Sequence, residues 1–126
     1  MIGYVTTQEK VLSMEPALRR VLATGAHSQL VSMTLQPHEE IGPEVHDDAD
    51  QLFLVAAGWP VDILVGDELH EEVPTGTVVV VPAGVRHNVT NRGDLPATLL
   101  TVYAPPEHTD GFVAITKEEA AHEHDG

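Results

Sequence analysis

Glu44 and His46 stand two positions apart in the segment Pro43-Glu-Val-His46, and Gln51 follows five residues later. On an extended strand, positions i and i+2 project from the same face, so carboxylate and imidazole are delivered side by side. A second run, Gly76-Thr-Val-Val-Val-Val-Pro82-Ala-Gly84-Val-Arg-His87-Asn-Val-Thr-Asn91, reads as a buried strand, a Pro-x-Gly turn and a histidine opening the next strand. If those strands line one barrel, Glu44, His46, Gln51 and His87 surround a single ion. Two imidazole nitrogens and two oxygens suit a borderline divalent metal, and four protein ligands leave positions for water or substrate. An empty polar cavity accounts for the same residues. In that reading Glu44, desolvated against apolar walls, acts as a general base.

Other polar clusters are weaker signals. Asp47, Asp48 and Asp50 make an acidic loop, but the glycine and the bidentate glutamate of a calcium loop are missing, so a solvated turn is expected. His122 and His124 belong to a terminal run, and His38 and His108 flank loops as exposed histidines. No Ser/His/Asp set, phosphate-cradling glycine loop or helical metalloprotease motif stands out.

The elements that must position the four residues are short strands. Segments 18–23, 29–35, 52–57, 61–65, 68–73, 77–81, 88–90 and 98–103 are apolar or alternating, and Gly, Pro and Asn-rich turns recur about every 8–12 residues, the spacing of an all-β sandwich or barrel. Pro105-Pro106-Glu107-His108 should end the sheet. Thr116-Lys-Glu-Glu119 is a capping box, which predicts a helix over 117–123 and a frayed end beyond it. The run 52–57 is apolar on both faces and is expected to be buried on both. Gln51, Phe53 and Val55 should line the cavity. Leu52, Leu54 and Ala56 should meet the core or a second subunit. Trp59, the only tryptophan, is a candidate ligand-stacking lid or interface anchor.

At 126 residues the chain is read as one domain, with a barrel over about 17–104 and a tail over 105–126. The absence of cysteine excludes disulfides and thiolate ligands. With 20 acidic against 6 basic residues the net charge is −14, so nucleic acid and anionic membranes are poor partners and a cation or a small molecule is a better one. No secretion signal and no apolar stretch near the roughly 20 residues of a membrane span is present, and a cytoplasmic protein is expected.

The second run resembles the second motif of the single-domain cupins, G-x5-P-x-G-x2-H-x3-N, with Gly76, Pro82, Gly84, His87 and Asn91 at every position. In the first motif Glu44 stands where a histidine is usual, His46 in the second histidine position, Gln51 in place of glutamate, and Gly58 closes the pattern. Over residues 30–51, 76–91 and 103–111 the chain looks like small bacterial cupins of a mannose-6-phosphate-isomerase-like branch, a label of fold similarity that carries no sugar-phosphate activity. The resemblance implies a jelly-roll β-barrel with a short C-terminal helix and a cavity between its sheets. It also implies a homodimer, one divalent transition metal (Zn, Ni, Mn or Fe, with copper also used in the family), and an oxygenase, isomerase or lyase step on a small molecule. Tyr103 joins Phe53, Val55 and Trp59 as an expected pocket residue. Against relatives of that branch Leu54, Ala56, Trp59 and Phe112 are apolar departures, consistent with drift at an interface, with a more apolar pocket or with redesign. A non-enzymatic binding or assembly module is the alternative class.

Overall fold

Alternation of apolar and polar side chains sets the strand series. In the computed structural model, which describes residues 2–123, the strands are β1 (Arg19–Thr24), β2 (Gln29–Leu35), β3 (Asp50–Ala57), β4 (Val61–Val65), β5 (Glu68–Val73), β6 (Val78–Val81), β7 (His87–Asn91), β8 (Ala97–Ala104) and β9 (Val113–Ala114). They form two antiparallel sheets, one ordered β6-β3-β8-β2-β1-β9 and one ordered β5-β4-β7. Inward side chains of both sheets make one core, with Met33 and Leu35 of β2, Phe53 and Val55 of β3, Ile63 of β4, Val89 of β7, and Leu99 and Tyr103 of β8. This is the mostly β jelly-roll architecture expected, with a short C-terminal helix α2 (Lys117–Ala121). No helix among the described residues is long and apolar enough to cross a membrane.

Three features depart from the expected outline. Thr7 caps an additional helix, α1 (Gln8–Leu12), its hydroxyl accepting from the Lys10 N–H. The chain also rejoins the large sheet after Pro105, because β9 pairs with β1 through Arg19↔Ala114 and Arg20↔Val113. The prolines interrupt the ladder without ending it. Lastly, β3 is fully buried on one face and only partly on the other: Gln51, Phe53 and Val55 point inward, whereas on the other face Leu52 is 39% exposed, Leu54 half-buried and Ala56 buried. Beside it the edge strand β6 turns Val78 and Val80 outward, and both are exposed. The capping box of α2 holds, with the Glu119 N–H donating to the Thr116 hydroxyl and the Glu119 carboxylate accepting from the Ile115 N–H.

Two residues of the glycine-rich run are scaffold, as their chemistry suggests. Gly84 sits at φ +82°, a conformation open to glycine and strained for other residues, and its N–H donates to the His46 carbonyl at 2.9 Å. Asn91 is fully buried: its amide donates to the carbonyls of Leu35, Gln36 and Leu95, and its oxygen accepts from the Gly93 N–H. One side chain thus contacts four main-chain groups of two segments. Replacing Asn91 by Ala leaves buried carbonyls unpaired and should lower stability by about 2–4 kcal/mol. A chemical denaturation midpoint unchanged from wild type would refute that role.

Candidate metal centre

The segment between β2 and β3 is not a continuous strand, yet it runs antiparallel to β7. Ile41 N–H donates to the Val89 carbonyl at 3.0 Å, and Glu44 and His87 exchange both main-chain hydrogen bonds at 2.9 Å. A mutual pair of this kind sets two side chains opposite each other on one face. His46 follows two residues on, its carbonyl held by Gly84. The result is the predicted convergence: one ligand-type atom from each of Glu44, His46 and His87 lies within 4.8 Å of the others.

Each imidazole is oriented from behind. His87 Nδ1–H donates to the Val85 carbonyl at 3.0 Å, and His46 Nδ1–H donates to Glu107 Oε1 at 3.2 Å. Both Nε2 atoms are thereby left for the centre, the arrangement in which carbonyl or carboxylate partners fix metal-binding histidines. His46 Nε2 lies 3.1 Å from Glu44 Oε2, out of line for a hydrogen bond. An imidazole lone pair facing a carboxylate oxygen at that distance calls for a cation between them, either a proton or a metal. Gln51 projects from the same inner face of β3, opposite Tyr103, whose ring packs edge-on against His46 at 5.2 Å. Gln51 is buried, and its Oε1 has no partner. An orphaned buried amide oxygen is costly unless something else fills the gap. The Glu44, His46 and His87 cluster is a donor set that suits a divalent metal, with the unpartnered Gln51 oxygen on the same inner side of the sheet.

Charge balance points the same way. Burial by itself would raise the Glu44 carboxyl, but His46, Arg19 and His87 outweigh it and hold the group below the ordinary carboxylate value. Glu44 is accordingly held in its carboxylate form. Burial opposes charge on His46 too, yet Glu44 and Glu107 raise it above the usual histidine value. His87 is lowered, chiefly by burial, with the positive His46 adding to the effect. Burial drives the Tyr103 hydroxyl well above its ordinary range, so it stays neutral.

The surroundings differ from the expected pocket. Phe53, Val55 and Tyr103 are packed in the core; only Tyr103 touches the centre. Trp59 is 55% exposed and lies past the opposite end of β3 from Gln51. The six residues from Gln51 to Ala57, at about 3.3 Å each, put the end of β3 about 20 Å from Gln51, and Trp59 lies two residues beyond it. It is not a lid over this site. The hollow that reaches Glu44 has a volume of about 230 Å³, with Leu18, Arg19 and Ile41 on one side and Lys117 and Ala120 of α2 on the other. A larger apolar cleft, about 290 Å³, lies elsewhere, between β4–β5 and β6.

Four participants were not foreseen. Arg19 of β1 is 6% exposed, and its Nη2 meets Glu44 Oε1 at 3.3 Å. Glu107 backs His46. His108, expected to be exposed, has a 5% exposed side chain, stacks edge-on with Tyr103 at 4.8 Å, and is paired with Glu123 at 2.9 Å. Pro105-Pro106 turning the chain back over the inner face was the available signal. Elsewhere expectation and structure agree that His38 is exposed, whereas Asp50 is more than a solvated residue: its carboxylate caps the Pro82 turn by accepting from the Ala83 N–H at 2.9 Å. His124 lies outside the described residues.

Residues 31–103 match the Cupin_2 family, described as the cupin domain. An uncharacterised Bacillus subtilis protein, YrkC, is 34% identical over 121 residues, covering 93% of this chain, which spans 65% of that relative's length. An uncharacterised protein of Acanthamoeba polyphaga mimivirus is 31% identical over 119 residues, covering 93% of this chain and 74% of its own. The crystal structure of BH2720 from Bacillus halodurans superposes with a TM-score of 0.88 at 34% identity, covering 96% of this chain and 94% of that one.

Glu107→Gln removes the charge behind His46 and should weaken metal affinity about 10–100-fold with the fold intact, read by competition with a chromophoric chelator. Because the folded pKa of His46 is raised above 6.5, the ring carries a proton at and below that pKa and loses it as pH rises through it. Zinc uptake near neutral pH should therefore release a proton, and the release should fade at higher pH. Calorimetry in buffers of different ionisation enthalpy measures this; a buffer-independent heat near neutral pH contradicts it.

Proposed function

The chain belongs to the Cupin_2 family of cupin domains, and from that premise we propose that it holds one divalent transition metal, zinc, nickel, manganese or iron, through Glu44, His46, Gln51 and His87, and acts on a small organic molecule. The observation that carries the reading is the convergence of Glu44, His46 and His87, with His46 Nε2 3.1 Å from an ionised Glu44, beside the buried and unpartnered Gln51 Oε1. A bound metal of this kind supplies Lewis acidity, or dioxygen chemistry if it is iron. The oxygenase, isomerase or lyase classes all remain within that chemistry.

The protein's own contribution is positional. Glu107 and the Val85 carbonyl fix the two imidazole rings. Arg19 holds Glu44 ionised and turned toward the centre. Tyr103, fully buried and neutral, walls the inner side against water, and Phe53 packs deeper in the same core. The hollow beside α2 is the side from which a small molecule reaches Glu44. Placement in the mannose-6-phosphate-isomerase-like branch rests on the motif residues alone and adds no substrate.

A homodimer accompanies this reading. On the outer face of the large sheet Leu52 and Leu54 pair with Val80 and Val78 on one side and with Val102 and Leu100 on the other, a contiguous apolar patch with Leu52, Val78 and Val80 exposed. Such a patch on an otherwise acidic chain is a docking surface for a second copy.

Mass spectrometric metal analysis of untagged protein should find about one metal per chain, lost in His46→Ala/His87→Ala. A wild type that takes up no metal after reconstitution sinks the metal reading. Val80→Glu should turn the dimer into a monomer in light scattering with metal content unchanged, and an unchanged mass would disprove that interface.

A further inference from the structure

Two hydrogen-bond donors and one longer ion pair converge on one carboxylate beside the metal centre, and ligation explains none of them. His108 Nδ1–H donates to Glu123 Oε1 at 2.9 Å, the Thr109 main-chain N–H donates to Glu123 Oε2 at 2.6 Å, and Arg19 Nη1 faces Oε1 at 3.9 Å. The side chains are buried: Arg19 is 8% exposed and Glu123 1%. Donor capacity is left over at Arg19 Nε, which has no partner; His108 Nε2, with the ring proton on Nδ1, is an unpaired acceptor. Guanidinium, imidazole and main-chain N–H together form a cradle whose chemistry selects a carboxylate.

Two observations mark the present occupant as replaceable. Glu123 is carried just beyond α2, a five-residue helix with no buried residue. A segment with so little burial opens at low cost. The cradle is also joined to the metal centre through a single side chain: Arg19 Nη2 holds Glu44 while Nη1 faces Glu123. Arg19 also lines the hollow that reaches Glu44 and is walled by α2, where it and Lys117 are two of the chain's six lysines and arginines in a protein of net charge −14. Cations gathered in one hollow of so acidic a chain favour an anionic ligand there.

The geometry points to a carboxylate-binding subsite in which Arg19, His108 and the Thr109 N–H hold the carboxylate of a small organic acid, with Glu123 as the resting occupant that the ligand displaces. This deepens the metal-centre reading and rests on it for the other end of the molecule: an acid seated in the cradle extends past Arg19 toward Glu44. The substrate class becomes a small oxygenated carboxylic acid, its carboxylate bound by protein and a second oxygen presented to the metal. A neutral small molecule would leave the cradle to Glu123.

The full chain, stripped of metal with a chelator, is titrated with pyruvate while the Thr109 amide and His108 ring resonances are followed. Both should shift, and Glu123→Gln and Glu123→Ala should each bind pyruvate about tenfold more tightly than wild type, because the internal competitor is gone. Glycerol, similar in size but uncharged, should move neither resonance. Equal affinity in wild type and both variants, or binding that leaves Thr109 and His108 unmoved, overturns the subsite. Because this arm uses metal-free protein, it stands apart from any failure of metal binding, which would show separately as no cobalt uptake. In cobalt-loaded protein pyruvate should alter the visible absorption of the metal in wild type and more readily in Glu123→Gln. An unchanged spectrum at saturating pyruvate would overturn the link between cradle and metal centre.

Discussion

The mutual main-chain hydrogen bonds between Glu44 and His87 are the constraint on which the site depends. Residues between β2 and β3 have no strand of their own, and without that pairing Glu44 and His46 would belong to a surface loop. The exchange fixes Glu44 directly opposite His87, and the Gly84 N–H then fixes the His46 carbonyl. Gly84 must adopt a positive φ for the turn to deliver that N–H, so the Pro82–Gly84 corner serves His46 as much as His87. The three residues of the cluster are thus set by backbone geometry, with side-chain partners refining their aim.

Burying so many ionisable groups together demands pairing, because an unpaired buried charge is far more costly than an exposed one. The chain meets that demand with a connected set. Arg19 touches both Glu44 and Glu123; Glu44 and Glu107 flank His46; Glu123 takes His108. Within it the carboxyls of Glu44 and Glu123 are held below their ordinary values against the upward push of burial, while burial lowers His108 and His87 toward neutrality. Two ionised acids around one guanidinium and one raised histidine leave a centre that remains acceptor-rich, which suits a cation.

Much of this was legible in the residue order because it follows from short periods. Two-residue alternation predicts 29–35, 61–65 and 68–73 as strands with the observed bounds, and the Glu44–His46 spacing together with the His87 run names the ligands. What the order hides is contact between distant segments. Arg19 lies 25 residues before Glu44, and Gln29 reaches the His108 main chain across 79 positions; no local pattern announces either. His108 looked exposed because prolines usually mark surface turns, yet here they fold the chain inward over Tyr103. Trp59 misled for the converse reason: it is near Phe53 in order but far along an extended strand. The solid apolar run of β3 suggested burial on both faces, whereas the second face is buried at Ala56, half-buried at Leu54 and exposed at Leu52.

That open face has a colloidal consequence. Leu52, Val78 and Val80 carry no charge, while the chain as a whole carries −14, so two copies approaching face to face are drawn by apolar contact and repelled by their net charge. The attraction is short-ranged and indifferent to salt; the repulsion is long-ranged and decays over about 10 Å at 0.1 M ionic strength. A dimer formed through that face, as proposed, would therefore respond to ionic strength in the sense opposite to a salt-bridged complex, loosening in dilute buffer and tightening as salt is added.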